Sequence, residues 1–416
     1  MGKEIVIIGG GIIGYCSAYF LSEGGHKVTI LDRSNNIEGA SHKNAGMVVP
    51  SHFIPLASPG IIKKGLKWML KSDSPFYIKP RLNLDLLKWG WHFYRHANTN
   101  HVNKYSRILA SMNNKSRDLY NEFNNIFKDD FSYKSKGLLM LFKSEEAEKE
   151  EIKVLELAHQ VGVDARYLSC NELNDLDKGT TYDVKGAVYY PGDAFMDPGK
   201  FMQVLEKHLI RKGVAIQKGI DVTGFKFHKS RIKSIVSNEK SFEGEEFLIS
   251  AGVYSTDLAK KLNYNLPMQG GKGYSITVEK PENLPEICSI LVESKVAVTP
   301  FSGNLRLAGT MEIAGQDLSI NHKRVNGYLK SVEQYMPDFP YNNLSKDVIW
   351  AGLRPCSPDG IPYLGRASKY TNLLFATGHS MMGLSLGPVS GDIVADIIDS
   401  KGQYAYLDKL SPDRFS

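Results

Sequence analysis

Residues 4–14, EIVIIGGGIIG, limit what this chain can fold into more than any other stretch. Glu4–Ile8 is a continuous apolar, β-branched run, which reads as a parallel strand buried on both faces. Gly9, Gly11 and Gly14 follow at G-x-G-x-x-G spacing, and YCSAYFLSEGG then carries apolar residues at helical period until Gly24 and Gly25 stop them. HKVTILDR supplies the next strand. This β-α-β order within about thirty residues is the context in which the glycine pattern acquires meaning. The first glycine allows a tight bend, the second lets backbone approach a pyrophosphate, and the third lets the helix pack closely on the sheet. Asp32 ends the second strand, where an acid can hold ribose hydroxyls. Dinucleotide binding follows, and at this level FAD and NAD are both open.

With 416 residues the chain exceeds one ordinary core, so two closely packed domains or one discontinuous domain are expected. The 51 Lys and Arg against 45 Asp and Glu give +6, spread along the chain, which argues against nucleic acid as a partner. Cys16, Cys170, Cys288 and Cys356 form no C-x-x-C pair, fitting neither a disulfide scaffold nor a zinc site and suiting a reducing compartment. MGKEIVIIGGG is too briefly apolar for a secretory signal and reads as mature protein. No window has the ~18 uncharged apolar residues of a membrane span. GIIKKGLKWMLKS (60–72) and LNLDLLKWGWHFY (82–94) are basic and amphipathic, compatible with helices covering a core or with a peripheral membrane contact.

Beyond the first unit, residues from about Pro59 to Glu150 read as a helix-rich inserted cap with no strand-and-glycine rhythm. YSITV, KVAVTPF and LRLAGTM, between Pro267 and Pro337, read as an antiparallel sheet, and NLLFATG as a late strand. Parallel-strand signals at both ends imply a discontinuous α/β architecture. A Rossmann-like βαβ domain is expected from segments 1–58, 196–262 and 346–416. A helical cap and substrate-domain segment would occupy 59–195, and an α+β substrate domain would build its antiparallel sheet from 263–345.

Three further stretches carry chemistry. ASHKNAGMVVPSH places Ser41, Asn44, Ala45 and Gly46 in a polar, small-residue loop that can follow a phosphate or a planar ring. GLRPCSPDGIPYLG holds Arg354 in a turn stiffened by prolines, where a guanidinium can take a carboxylate bidentately. GGKGYS puts Lys272 and Tyr274 beside glycines at a strand start, either lining a pocket or solvated. GHSMMGLSLGPVSG, Gly378 to Gly391, is a second glycine-rich turn just before a helix read as starting near Leu384.

GGGIIG, NAGMVVP, GLKWML, KGYS, LISAGVYS, AGTME, GLRPCSPDG and GHSMMG occur in an order and spacing that resembles bacterial FAD-dependent D-amino-acid dehydrogenases (small-subunit type). These belong to the D-amino-acid oxidase, glycine oxidase and sarcosine oxidase superfamily, and the resemblance spans nearly the whole chain. It implies noncovalent FAD in an extended pose. By matching motif positions it assigns Gly9, Gly11, Gly14, Asp32 and Arg33 to the ADP half. Ser41, Asn44, Ala45 and Gly46 would run along the pyrophosphate and ring, Val222 would face the adenine, and Ala251 and Gly252 would pass beside the cofactor. Gly378, His379, Met382, Gly383 and Leu384 would close the ring side, the following helix aiming its N-terminus at the charge that reduction places on the ring.

Arg354 would hold the substrate carboxylate, with Tyr274 and His52 as pocket contacts. The substrate would be a D-amino or imino acid such as D-proline, and the acceptor a quinone or other carrier. The location implied is the cytoplasm, free or at the cytoplasmic face of a membrane. Three departures stand out: Asp32 at a position where many members have Glu, Gly352 where sarcosine oxidases tether flavin through cysteine, and His52 in a loop that usually differs. An oxygen-using amino-acid or glycine/sarcosine-type oxidase is the alternative within the family. Outside it, an NAD-dependent dehydrogenase or a noncatalytic module would share the first βαβ unit.

Overall fold

A computed structural model describes residues 2–35, 39–69, 74–81, 83–238, 240–339 and 349–415. The expected domain boundary at 345/346, residues 70–72 of the first amphipathic stretch and Leu82 of the second lie outside them.

Glu4–Ile8 is an interior strand of a six-stranded sheet in the order Tyr363–Arg366, Leu373–Thr377, Glu246–Ile249, Glu4–Ile8, Lys27–Leu31, Ala215–Gln217. Ile7 pairs in parallel with both Leu248 and Ile30, and only the Tyr363–Arg366 hairpin is antiparallel. Val6, Ile7 and Ile8 are buried, as a strand covered on both faces requires. The helix Ile12–Glu23 returns over this sheet and packs against the late helix Gly387–Asp399.

That contact explains part of the second glycine-rich stretch. A Cβ on Gly387 would lie 2.6 Å from Ile12, and one on Gly391 would lie 2.5 Å from the Cys16 backbone. Two glycines four apart share a helix face, and here that face lets two helices approach to backbone contact.

The second large sheet runs Trp350–Cys356, Gln269–Glu279, Asn304–Ile313, Val296–Phe301, Cys288–Leu291, Leu138–Phe142, Gly186–Tyr190, Arg166–Ser169, with Phe76–Ile78 on the Asn304–Ile313 strand. Three expectations are corrected here. The 59–150 segment is not only a helical cap, because it contributes the strands Phe76–Ile78 and Leu138–Phe142. The strands of 263–345 pair antiparallel as expected, but the sheet extends beyond them and becomes mixed, since Leu138–Phe142 joins parallel to Cys288–Leu291 and Phe76–Ile78 parallel to Asn304–Ile313. Trp350–Cys356, expected in the dinucleotide domain, is instead an edge of this sheet.

A small ladder of Met47–Val48 with Ala194–Phe195 and a three-stranded sheet over residues 222–243 complete the β-structure of the described residues. The helix Thr99–Phe127 packs on Gly387–Asp399. No helix among the described residues is long and apolar enough to cross a membrane.

Candidate active site

A cavity of about 1370 Å³ runs from the first glycine turn to the edge of the large sheet. This exceeds the roughly 300–1,000 Å³ of an ordinary small-molecule site, leaving room for a dinucleotide and a substrate together. Its first end is built by the strand–turn–helix of residues 4–23. Gly9 has φ +112 and its Cβ would sit 2.6 Å from Ser250 O; a Cβ on Gly14 would sit 2.0 Å from Gly9 O. The turn can therefore be made only by residues without side chains. Gly11 has no side chain with which to cap the helix; the Ile12 amide is taken by Ser41 Oγ, and the rest of this helix start faces the cavity, where its dipole favours an anion. Gly10 donates to Asp32 Oδ2 at 2.5 Å and Ser34 to Asp32 Oδ1 at 2.7 Å, which fixes the carboxylate at the cavity wall. The Arg33 guanidinium stacks 3.4 Å from the Tyr254 ring centroid, and both line this end. Val222 lines it too, with its carbonyl accepting from Lys261 Nζ at 3.0 Å.

The middle of the cavity is the loop 39–46. Ser41 Oγ accepts from the Ile12 amide at 2.9 Å, tying the loop to the first helical turn. Asn44 is internally committed: its side chain donates to Ala40 O and Ser41 O and accepts from the Gly46 amide at 2.8 Å. Gly46, at φ +76, approaches Met196 O so closely that a Cβ would be 2.4 Å away. Ala45, Ala251 and Gly252 line the same passage.

Arg306, which sequence reasoning did not single out, holds this loop from the large sheet. It is buried, donates to Asn44 O at 2.9 Å and Thr277 Oγ1 at 3.1 Å, and has its pKa drawn down to about 10 by burial. The available signal was an arginine inside the apolar run LRLAGTM.

At the far end, residues 378–384 bring another set of backbone groups. Gly378 is a turn residue (φ +76) whose Cβ would strike Tyr363; unlike the others it does not line the cavity. The helix starts at Gly387, three residues later than expected. It is preceded by a turn in which Met382 donates to His379 O and Leu386 to Met382 O, both at 2.8 Å. Tyr120 OH donates to Leu384 O at 2.7 Å and Ser385 Oγ to Asn113 at 2.8 Å, anchoring the turn to the long helix. The amides of Gly383 and Leu384 have no acceptor among the described residues, and both residues line the cavity. His379 is buried with Nε2 against Ser390 Oγ at 2.9 Å, and burial pushes its pKa down to about 3, so it is a neutral local hydrogen-bonding group.

A glycine turn opening a helix at one cavity end, the free Gly383 and Leu384 amides at the other, a carboxylate at the second strand's end and a small-residue loop between them fit FAD in an extended pose. Gly352 offers no side chain for a tether, and the buried Cys356 thiol is pushed up to about 11, leaving no thiolate nearby.

Arg354 lines the cavity beside this far end. Its Nη1 donates to Thr310 O at 2.8 Å, and a Cβ on Gly273 would lie 2.2 Å from the same nitrogen, so KGYS owes this glycine to the guanidinium. No carboxylate among the described residues pairs with Arg354. Burial draws its pKa down, yet guanidinium keeps its charge in proteins, so an unpaired cation faces the cavity. Tyr274 reaches the cavity wall, but its hydroxyl is taken: it donates to Glu312 Oε1 at 2.6 Å and accepts from the Asn321 amide at 3.0 Å. Lys272 is buried, bonded to Ser319 O at 2.6 Å and near Glu312 and Asp317, which excludes both a pocket-lining and a solvated role. His52 lines the cavity, with Nδ1 3.0 Å from Ser51 Oγ.

The family described as FAD dependent oxidoreductase (DAO) matches residues 4–397. A D-amino acid dehydrogenase of Helicobacter pylori is 31% identical over 401 residues, 95% of each chain. Among solved structures, glycine oxidase from Geobacillus kaustophilus superposes with TM-score 0.80 at 21% identity, over 100% of this chain and 99% of that one. L-proline dehydrogenase from P. horikoshii gives TM-score 0.74 at 18% identity, over 100% and 98%. At those identities the two structures speak for the fold alone.

Proposed function

Because the chain belongs to the DAO family of FAD-dependent oxidoreductases, we propose that it oxidises the Cα–N bond of a D-amino or imino acid and passes the electrons to a quinone or another carrier. FAD, when bound, supplies the acceptor for the hydride that leaves Cα. The observation that carries the substrate class is Arg354, a cavity-facing guanidinium without a carboxylate partner. A substrate carboxylate would complete it, and the Thr310 carbonyl holds the fork in place for that contact.

The chain's other contributions are electrostatic and steric. The free amides of Gly383 and Leu384 would meet negative charge developing at the ring edge. His52 stays neutral, because burial and the nearby Lys295 push its pKa down to about 4, so it adds no second cation beside Arg354. The oxidised product is an imino acid, which hydrolyses or persists as a cyclic imine in water.

A carrier at a membrane surface is supported by the helices Ile61–Met69 and Leu84–His96. Trp89 is no part of an outward face: it is buried, with Nε1 donating to Cys356 O at 2.9 Å. Leu66, Leu84, Leu87, Trp91 and Tyr94 are the exposed apolar residues there, interspersed with exposed Lys63, Lys64, Lys67 and Lys88.

The test is turnover of a D-amino-acid and D-proline panel, comparing reduction of a water-soluble quinone with oxygen uptake. Quinone reduction that outpaces oxygen uptake is expected. Stoichiometric oxygen uptake with no response to quinone would move the protein to the oxidase reading.

A further inference from the structure

One buried carboxyl group beside the site is unused by the account above. Asp193, in the turn between Gly186–Tyr190 and Ala194–Phe195, is fully buried and has no ion-pair partner among the described residues. Across the Met47–Val48/Ala194–Phe195 ladder it receives two hydrogen bonds from Ser51, from the amide at 3.0 Å and from Oγ at 2.5 Å. A serine hydroxyl has a single hydrogen, and here Asp193 takes it. The next contact, Ser51 Oγ to His52 Nδ1 at 3.0 Å, must then be donated by the imidazole. That fixes the Nδ1–H tautomer and leaves Nε2 with its lone pair. Nε2 has no partner among the described residues and is not one of the enclosed unpartnered atoms, so it opens on the cavity that His52 lines.

We propose that Asp193 and Ser51 are positioning residues: they hold His52 as a hydrogen-bond acceptor whose Nε2 receives an N–H of the substrate amine while Arg354 holds the carboxylate. The inference rests on the amino-acid reading given above and deepens it. Two fixed points on the substrate, an anion at Arg354 and an N–H at His52, would orient Cα between them. The acceptor accommodates primary and secondary amines, since each carries an N–H.

The relay has a built-in pH dependence. Asp193 faces Arg117 from the long helix, the phenols of Tyr133, Tyr189 and Tyr190, and the thiol of Cys288. The phenols and the thiol are all pushed upward by burial and stay neutral, so Arg117 is the charge it meets, and burial still raises Asp193 to about 7. His52 faces Lys295, which in turn faces Glu151, and remains neutral through this range. Below the Asp193 pKa the carboxylic acid donates to Ser51, Ser51 donates to Nδ1, and Nε2 carries the ring hydrogen, so it no longer accepts the substrate N–H and instead donates toward the amine lone pair. Acceptor function is therefore gained as pH rises through about 7.

Asp193→Asn tests this without removing a partner. The carboxamide oxygen can keep the Ser51 amide bond while its NH₂ donates to Ser51 Oγ, imposing the wrong tautomer. Ser51→Ala is the second variant, which breaks the relay but keeps the backbone bond. Anaerobic flavin reduction is followed with D-alanine and D-proline as probes, across neutral pH. In the wild type, the reduction rate over apparent dissociation constant should rise through a limb near 7, separate from the higher limb of the substrate ammonium. Both variants should lose the lower limb and about 10- to 100-fold in that ratio. On a His52→Ala background, Asp193→Asn should cost nothing further. A persisting limb, or an undiminished cost without His52, would overturn the relay. Failure of every amino acid to bleach the wild-type flavin would instead remove the reading on which it rests.

Discussion

Arg354→Ala should lower kcat/KM for amino-acid oxidation by about 10³-fold while the protein stays folded and retains FAD. Truncating one partner of a desolvated, hydrogen-bonded charge pair costs roughly 2–5 kcal/mol, and each ~1.4 kcal/mol is tenfold. The upper part of that range applies because Thr310 fixes the guanidinium and burial strips it of water. Arg354→Lys should recover only part of the loss, since an ammonium keeps the charge but not the bidentate fork. Steady-state kinetics with the flavin content of each variant measured beside them decide the matter. Wild-type efficiency in Arg354→Ala would assign the carboxylate elsewhere.

Gly14→Val has the other large expected effect, loss of FAD from the purified protein. Its Cβ would overlap Gly9 O at 2.0 Å. Both atoms belong to the strand–turn–helix unit, so relief requires lifting the helix off the sheet. Overpacking that cannot relax costs about 3 kcal/mol or more, and here the displaced amides are those facing the pyrophosphate position. Gly224→Ala is the control, since nothing lies within 4 Å of its added Cβ and its φ is not positive. Visible absorbance relative to protein should fall to background for Gly14→Val and stay at the wild-type ratio for Gly224→Ala. A fully flavinated Gly14→Val protein would show that this turn does not hold the cofactor.

Different parts of this architecture were legible in the sequence to different degrees, for physical reasons. The βαβ unit could be read because a buried parallel strand, a glycine turn and an amphipathic helix each leave their own local pattern, and the three are consecutive. Leu138–Phe142 could not: a five-residue apolar run looks the same in a strand and in a buried helix, and its partners, Cys288–Leu291 and Gly186–Tyr190, are far along the chain. Phe76–Ile78 is three residues long and owes its conformation to the Asn304–Ile313 strand.

Among the site residues, Arg354 announced itself through the prolines and glycines around it. Asp193 did not, because its importance lies in a carboxylate brought to Ser51 by a two-residue ladder. Tyr274 illustrates the reverse case. Its motif pointed to the pocket, but only the fold reveals that Glu312 and the Asn321 amide already occupy its hydroxyl. The late glycine-rich stretch carried two messages at once: the 379–384 turn lines the cavity, whereas Gly387 and Gly391 serve helix packing.

On the proposed reading an amino acid, bound by its carboxylate at Arg354, reduces FAD in this cavity. The most direct measurement is anaerobic mixing of the purified holoprotein with D- and L-amino acids, D- and L-proline, glycine and N-methylglycine, following the visible flavin band. Rapid bleaching by one or more D-enantiomers or D-imino acids is expected, with their L-counterparts far slower. Bleaching confined to L-amino acids or N-methylglycine would contradict the D-amino-acid reading, and a flavin that no amino acid bleaches would contradict the claim itself.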